Sequence, residues 1–336
     1  MRILQVNSAS TWGGGETHVQ QLTEFLRERG HDVVIASRPN SRLKPQIELP
    51  FVNSADFITA KRLRRVLKSG FDIVHAHLAR DYTIVAAAAW GMDHPGVVFT
   101  RHLLHPIRSH FFYRRVDAWI APTAQILKTL SPPKQKIAAV IPNWVDARKF
   151  PYKPHASHTP VTIGLIGQVS PHKGHDDAIE AIRQLGSNFR LLIAGEGDAS
   201  YKDALKKKAT DLPVQFVGFA PQPQFFEEID ILIVPSWEEP FGIVLLEAMA
   251  AGIPVVATAA GGPQEIISDP AEGVLVPPRD PAVLASAIKS LVNGDDRRLS
   301  ITRNARTRVE ANFDIQTVVP RIEQLYWRLV MKHFPR

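Results

Sequence analysis

Apolar residues in this chain fall into short continuous runs separated by amphipathic stretches, the order expected of buried parallel strands alternating with helices. The clearest case spans residues 230–258, DILIVPSWEEPFGIVLLEAMAAGIPVVAT. Ile231 to Val234 and Val255 to Ala257 read as strands buried on both faces, and Pro235-Ser236 ends the first. Pro240 is placed for the first turn of a helix, Ile243 to Ala251 is helix-forming, Gly252 supplies a C-cap and Pro254 blocks continuation. The amides of Phe241, Gly242 and Ile243 are then free at a helix start. The helix dipole and the missing Cβ of Gly242 suit an anion there, a phosphate above all. Glu239 precedes the helix and Glu247 lies further along it, so two carboxylates stand far enough apart to hold separate sets of hydroxyls. On the residues alone, both also fit as helix-terminal or solvated surface charges.

The rest of the chain repeats the alternation. Arg2 to Ala9 reads as a first strand, and the loop after it brings Gly13, Gly14 and Gly15 to a helix start, where backbone amides can close around a diphosphate. Neither a G-x-G-x-x-G fingerprint nor a P-loop lysine accompanies them. His31 to Ser37 is a second strand. Ala55 to Ser69 is a helix with Ile58, Leu63, Val66 and Leu67 on its core face and Lys61, Arg62, Arg64, Arg65 and Lys68 as a basic stripe. FDIVHAHL is a strand that puts His75 and His77 on one face. No third or fourth ligand follows at metal-site spacing, so packing or cleft lining is preferred to zinc. Gly96 to Thr100 is another strand with His102 at its carboxyl end, the end that faces the crevice in doubly wound sheets. His105, Arg108, His110, Arg114 and Arg115 then mix with Phe111, Phe112, Tyr113 and Trp119, the composition of a basic amphipathic surface helix or of a helix that packs its aromatics inward.

Residues 149–160, KFPYKPHASHTP, carry no period and read as a linker. VTIGLIGQV opens a second domain, and Lys173 with Gly174 lies just before its first helix, an arrangement that can set an ammonium on a phosphate and that an ordinary exposed loop lysine also explains. Gly195, Gly218 and Phe219 stand at strand ends where a nucleotide base can lodge. Arg303 to Phe313 and Gln316 to Phe334 read as helices, the latter packing through Trp327, Leu329 and Val330.

Composition narrows the classes. The 336 residues are 45% hydrophobic, enough for two cores, and contain no cysteine, which excludes disulfides, thiolate metal sites and a cysteine nucleophile. The start MRILQV reads as a strand rather than a leader, and no apolar run approaches the ~18–20 residues that cross a bilayer. A cytoplasmic protein is expected. The net charge of +7 is unevenly spread, with 21 Lys and Arg against 11 Asp and Glu in residues 1–150 and 19 against 22 afterwards. A basic first half suits an anionic partner: a phospholipid surface, a phosphorylated acceptor or a nucleic acid.

EEPFGIVLLEAMAAGIPVVAT followed by AAGGPQEII resembles the signature of the GT4 family of retaining glycosyltransferases, and weaker resemblance covers nearly the whole chain. It implies an α/β GT-B fold, two facing Rossmann-like domains with an inter-domain cleft: residues 1–149 on the acceptor side, residues 150–315 on the donor side, and a last helix, about 316–336, returning to the first domain. Glu239 then binds donor-sugar hydroxyls, Glu247 the nucleotide ribose, and the amides of Phe241, Gly242 and Ile243 hold sugar and phosphate. The Gly13–Gly15 loop meets the diphosphate, Glu16 or His18 the acceptor, and His102 lies near donor sugar and acceptor. Lys173 neutralises the leaving diphosphate. His102, Lys173 and Glu239 form the implied catalytic set.

Two positions depart from that pattern. Trp144 replaces a glycine of the P-N-G-V-D loop. Gln168 stands where the family often has an arginine and supplies no charge to the leaving group, a loss of about 2–4 kcal/mol of transition-state stabilisation unless His172, Lys173 or an arginine of the first domain compensates. The resemblance also implies attack on the leaving group's own face, with no enzyme nucleophile, so Glu239 and Glu247 are binders and not a glycosidase pair. No Asp-x-Asp occurs, so no metal is expected at the diphosphate. The expected partners are a nucleotide sugar as donor substrate, a glycan or lipid-linked acceptor and an anionic membrane surface against the basic first domain, with no cofactor and no nucleic acid. Competing readings are a GT-B nucleotide-sugar epimerase and a catalytically weak nucleotide-sugar-binding partner.

Overall fold

The computed structural model describes residues 1–10, 13–107, 109–130, 136–154 and 157–333. Arg108 of the basic segment, residues 155–156 of the predicted linker and residues 334–336 lie outside the described residues. The chain divides into two compact units, Met1–Asn143 with Val318–Arg336, and Trp144–Thr317.

The first unit runs β1 (Arg2–Val6), α1 (Gly14–Glu28), β2 (Asp32–Ser37), β3 (Ile47–Glu48), α2 (Phe57–Leu67), β4 (Ile73–Ala76), α3 (Ala79–Ala88), β5 (Gly96–Thr100), β6 (Ala118–Ala121), α4 (Ala124–Lys128) and β7 (Ile137–Val140). Its strands pair in parallel in the order β3-β2-β1-β4-β5-β6-β7. Their apolar runs are continuous because helices cover both faces, and every residue of β4, β5 and β6 is buried. The chain leaves β1 outward through β2 and β3, then returns to place β4 on the other side of β1. At such a reversal the loops diverge and leave a crevice at the carboxyl ends.

The second unit has the same logic. It runs β8 (Val161–Ile166), α5 (His175–Leu185), β9 (Phe189–Ala194), α6 (Ala199–Lys208), β10 (Val214–Gly218), α7 (Gln222–Glu227), β11 (Ile231–Val234), α8 (Ile243–Ala251), β12 (Val255–Thr258), α9 (Pro263–Ile266), β13 (Val274–Val276), α10 (Pro281–Val292) and α11 (Asp295–Asn312). The parallel order is β10-β9-β8-β11-β12-β13, with the reversal between β8 and β11. A last helix, α12 (Ile315–His333), belongs to the first unit from Val318 onward. There Tyr326 is fully buried and Leu329 packs 3.3 Å from the Cβ position of Gly96.

Several expectations need correction. Among its described residues, the segment after His102 forms no long amphipathic helix, only a single 3₁₀ turn, Phe111–Arg115. The Arg115 guanidinium folds inward, donating to the carbonyls of Ala89 (3.0 Å) and Pro95 (2.6 Å) and to Asp117 (2.6 Å), and Trp119 is a buried residue of β6. Ile58 is 69% exposed rather than on the core face of α2, because Thr59, Ala60, Leu63 and Leu67 make that face. Trp327 is 43% exposed, and its neighbour Tyr326 takes the buried position. The predicted linker is anchored at its start. Phe150 is buried, and Arg306 donates to the Phe150 carbonyl at 2.7 Å.

Candidate active site

In the second unit, β8 and β11 end side by side at the reversal. Past β8, Gln168 is exposed, and a 3₁₀ turn, Pro171–Lys173, leads to Gly174. Gly174 has φ +72°, and a Cβ there would meet the Pro235 carbonyl oxygen at 2.0 Å, so only glycine lets this loop press onto the end of β11. Trp237 secures the contact. Its amide donates to the His172 carbonyl (2.8 Å), its indole donates to Asp177 (2.7 Å), and the Arg279 guanidinium lies 4.2 Å above its ring.

This latch carries Lys173 to Glu239. Lys173 Nζ lies 2.7 Å from Glu239 Oε2, which also accepts from Ser236 Oγ at 3.1 Å. Glu239 is fixed through its backbone as well. Its amide donates to the Ala260 carbonyl and its carbonyl accepts from Gly262, both at 2.8 Å. An ammonium has three protons, so Lys173 can keep Glu239 and still offer donors to an anion.

Immediately beyond Glu239, Gly242 adopts φ +98° and caps α8. That left-handed turn keeps Pro240 outside the helix, contrary to its expected place in the first turn. Phe241 is buried, its ring 6.3 Å from that of Phe313, so its side chain serves the core and only its backbone is left to offer. Among the described residues no acceptor meets the amides of Phe241, Gly242 and Ile243. Three consecutive unsatisfied amides at a helix start make an anion site. Glu247, on α8, is half-buried and has no hydrogen-bond partner among the described residues. Burial pushes its carboxyl up to about 7.

In the first unit the carboxyl ends of β1, β4 and β5 gather histidines. His75 lies in β4 and His77 one residue past it, His18 comes from α1 and His102 from the loop after β5. Ring centroids are 4.1 Å apart for His75 and His77, 4.8 Å for His18 and His102, and 5.6 Å for His18 and His77. His75 is satisfied on both nitrogens, by Tyr326 (2.6 Å) and Thr100 (2.7 Å), and His77 Nε2 meets Gln5 Oε1 at 2.7 Å. Burial, and then their mutual repulsion, holds His18, His75 and His77 well below the ordinary imidazole value. Burial and then the Arg101 charge lower His102 to about 4. All four rings are therefore neutral at pH 7. Gly13 is extended and Gly14 begins α1, while Glu16 is buried and accepts from Asn7 Nδ2 at 3.3 Å.

The structure thus joins Lys173, Glu239 and the Gly242 amides within one unit, and His18 with His102 within the other. Sequence reasoning missed the Trp237–Asp177 latch and the meeting of His18 and His102 with the His-x-His pair. The first had a signal in the Trp that follows β11, and the second had none, since the partners are remote in sequence.

Residues 12–149 match the family model described as Glycosyltransferase Family 4, and residues 146–308 match the one described as Glycosyl transferases group 1. The chain belongs to the family 4 glycosyltransferases. This family 4 chain is 27% identical to the glycogen synthase of Mycobacterium tuberculosis, an alignment covering 97% of the chain and 94% of that protein. It is also 27% identical to the phosphatidyl-myo-inositol mannosyltransferase of Mycolicibacterium smegmatis, covering 94% and 90%. Among solved structures, a glycosyltransferase from Rickettsia africae superposes with a TM-score of 0.86 at 23% identity, covering 98% of each chain. Anabaena HepE, solved in complex with UDP-glucose, superposes with a TM-score of 0.84 at 21% identity, covering 98% and 100%. The family 4 chain therefore has the GT-B fold of paired Rossmann-like sheets.

Proposed function

We propose that this glycosyltransferase moves a sugar from a nucleotide diphosphate sugar to an acceptor hydroxyl, with retention at the anomeric carbon and no metal at the diphosphate. The observation that carries the reading is the Lys173 ammonium, 2.7 Å from Glu239, beside the unsatisfied amides of Phe241, Gly242 and Ile243. The chemical difficulty is charge developing on the departing diphosphate, and fixed amides with an ammonium stabilise that charge more than they stabilise the intact donor.

In this reading the diphosphate takes the amides and the spare protons of Lys173, with the Gly13–Gly15 loop as a further contact. Glu239 accepts from sugar hydroxyls and Glu247 from the ribose. Phe219, 81% exposed at the end of β10, offers its ring to the base. A phosphate oxygen of the leaving group takes the acceptor proton. His102, neutral at pH 7, positions sugar and acceptor hydroxyls through hydrogen bonds, and Glu16 and His18 stand on the acceptor side. HepE, of the same fold, holds UDP-glucose, which supports a uridine donor as the first to try. The acceptor is a lipid-linked or envelope glycan, consistent with a basic first unit that can rest on the inner membrane face of the cytoplasm. Among the described residues no helix is long and apolar enough to cross a membrane.

Thermal shift against a panel of nucleotides and nucleotide sugars, run beside Glu247→Ala and Lys173→Ala, tests the donor half. A stabilised wild type, with a silent Glu247→Ala and a reduced but measurable shift in Lys173→Ala, supports the reading, and a wild type that no nucleotide stabilises removes it. Transfer to glycan and lipid-linked acceptors, with the product anomer read by NMR, tests retention. The exposed Gln168 favours one second reading, a nucleotide-sugar-binding partner without turnover. Donor binding without transfer to any acceptor would select that reading, and interconversion of the donor sugar without acceptor would select an epimerase.

A further inference from the structure

The histidines of the first unit form a cluster that hydroxyl positioning alone does not require. One ring nitrogen from each of His18, His77 and His102 lies within 4.8 Å of the others. His77 and His18 are buried at 2% and 5% exposure, so the cluster is largely dry. The tautomer of His77 is fixed from outside. Gln5 Oε1 is an acceptor only, so Nε2 carries the proton and Nδ1 carries a lone pair. That Nδ1 is buried without a hydrogen-bond partner among the described residues, and so is His102 Nε2. Buried ring nitrogens left without partners are costly, and a cation held between them would satisfy them together.

From this geometry we infer that His18, His77 and His102 form a three-imidazole site for one late first-row divalent cation, Zn²⁺ being the type, with a fourth position open. Three neutral nitrogens and no carboxylate suit Zn²⁺, Co²⁺, Ni²⁺ or Cu²⁺ and not Mg²⁺ or Ca²⁺, which need oxygen ligands. Tetrahedral ligation at about 2.05 Å places ligand nitrogens about 3.4 Å apart, so binding draws the rings inward by roughly an ångström. His102 is half-buried on a loop, outside any strand or helix that would fix its backbone. Gln5 acts as the outer partner that orients His77, and His75, held by Tyr326 and Thr100, stands outside the ligand set. The Arg101 charge beside His102 opposes a cation and favours an ion with strong imidazole affinity. The site is distinct from the diphosphate-holding residues of the second unit, and its test does not depend on transfer activity.

The full-length protein, stripped with chelator and dialysed against micromolar Zn²⁺, should retain one equivalent by atomic spectroscopy. Replacement by Co²⁺ should give the intense visible bands of a tetrahedral nitrogen site. His77→Ala should lower the affinity at least 100-fold, and Gln5→Leu, which frees the His77 ring without removing a ligand, by about 10–100-fold. Should His77→Ala fail to fold by circular dichroism, His102→Ala, altered at a loop, takes its place with the same expected loss. Retention of no zinc by the wild type overturns the proposal. So does equal retention by the folded ligand variant, which would assign the metal to surface histidines.

Discussion

Lys173 and Glu239 show how one contact serves two states. Without ligand each neutralises the other at 2.7 Å in a half-buried place, an arrangement that would otherwise leave a desolvated charge. In the proposed donor complex, the ammonium would turn part of its capacity to phosphate. Removing it should therefore cost transition-state stabilisation more than ground-state binding, and the neutral Gln168 supplies no charge in its place. We expect Lys173→Ala to lower kcat by about 10²–10³-fold, with a smaller change in KM, in steady-state kinetics. An equal loss confined to KM would reassign Lys173 to uniform binding. Glu247 makes a pH prediction. Its carboxyl is raised by burial to about 7, so the folded protein holds a proton that the unfolded chain releases nearer 4.5. Stability from this group is complete below the unfolded value and is lost as pH rises through 7, by about 3 kcal/mol. Glu247→Gln should melt higher than wild type at pH 8.5 and level with it near pH 4. Nucleotide affinity should run the other way, rising in the wild type between pH 6 and 8 as the carboxylate forms, and staying flat in Glu247→Gln.

At the scale of elements, the strands and α8 were legible because fully buried parallel strands leave continuous apolar runs, and because Gly252 and Pro254 punctuate the helix in sequence as in space. Which face of a helix is covered was less legible. Ile58 fits an amphipathic period, yet α2 covers its neighbours and leaves Ile58 and Phe57 at 69% and 64% exposure. The segment after His102 has helix-like composition, but tertiary acceptors for Arg115 hold it as a loop. The histidine cluster was invisible, since its partners come from three separate elements whose meeting depends on the order of β1, β4 and β5. The correction to α2 sharpens the membrane reading. Phe57, Ile58 and nearby Val52 are exposed, as are Lys61, Arg62, Arg65 and Lys68, whereas Arg64 is spent on the Ala88 and Trp90 carbonyls. With roughly 1 kcal/mol per cation near an anionic surface, Lys61→Glu/Arg65→Glu should weaken binding to anionic vesicles about 10–30-fold at low salt. A wild type that ignores such vesicles in co-sedimentation ends this reading.

At the scale of the molecule, the two units differ in how they are closed. The second is continuous in sequence, from Trp144 to Thr317, and contains every residue proposed for the nucleotide and sugar save the Gly13–Gly15 loop and His102. The first is completed only by the far end of the chain. Val318, Val319, Ile322, Leu325, Tyr326 and Leu329 of α12 are buried, Glu323 bonds His31 (2.8 Å) and Arg29 (2.7 Å), and Tyr326 holds His75. Six buried side chains at about 1.5–3 kcal/mol each approach the whole stability of a domain. A fragment of residues 1–143 should therefore lack a cooperative melt by circular dichroism, and a peptide of residues 315–333 added in trans should restore one. The fragment 144–317 should fold alone and bind a nucleotide diphosphate. A cooperative melt of 1–143 by itself would show that α12 is an accessory to that sheet and not part of its core.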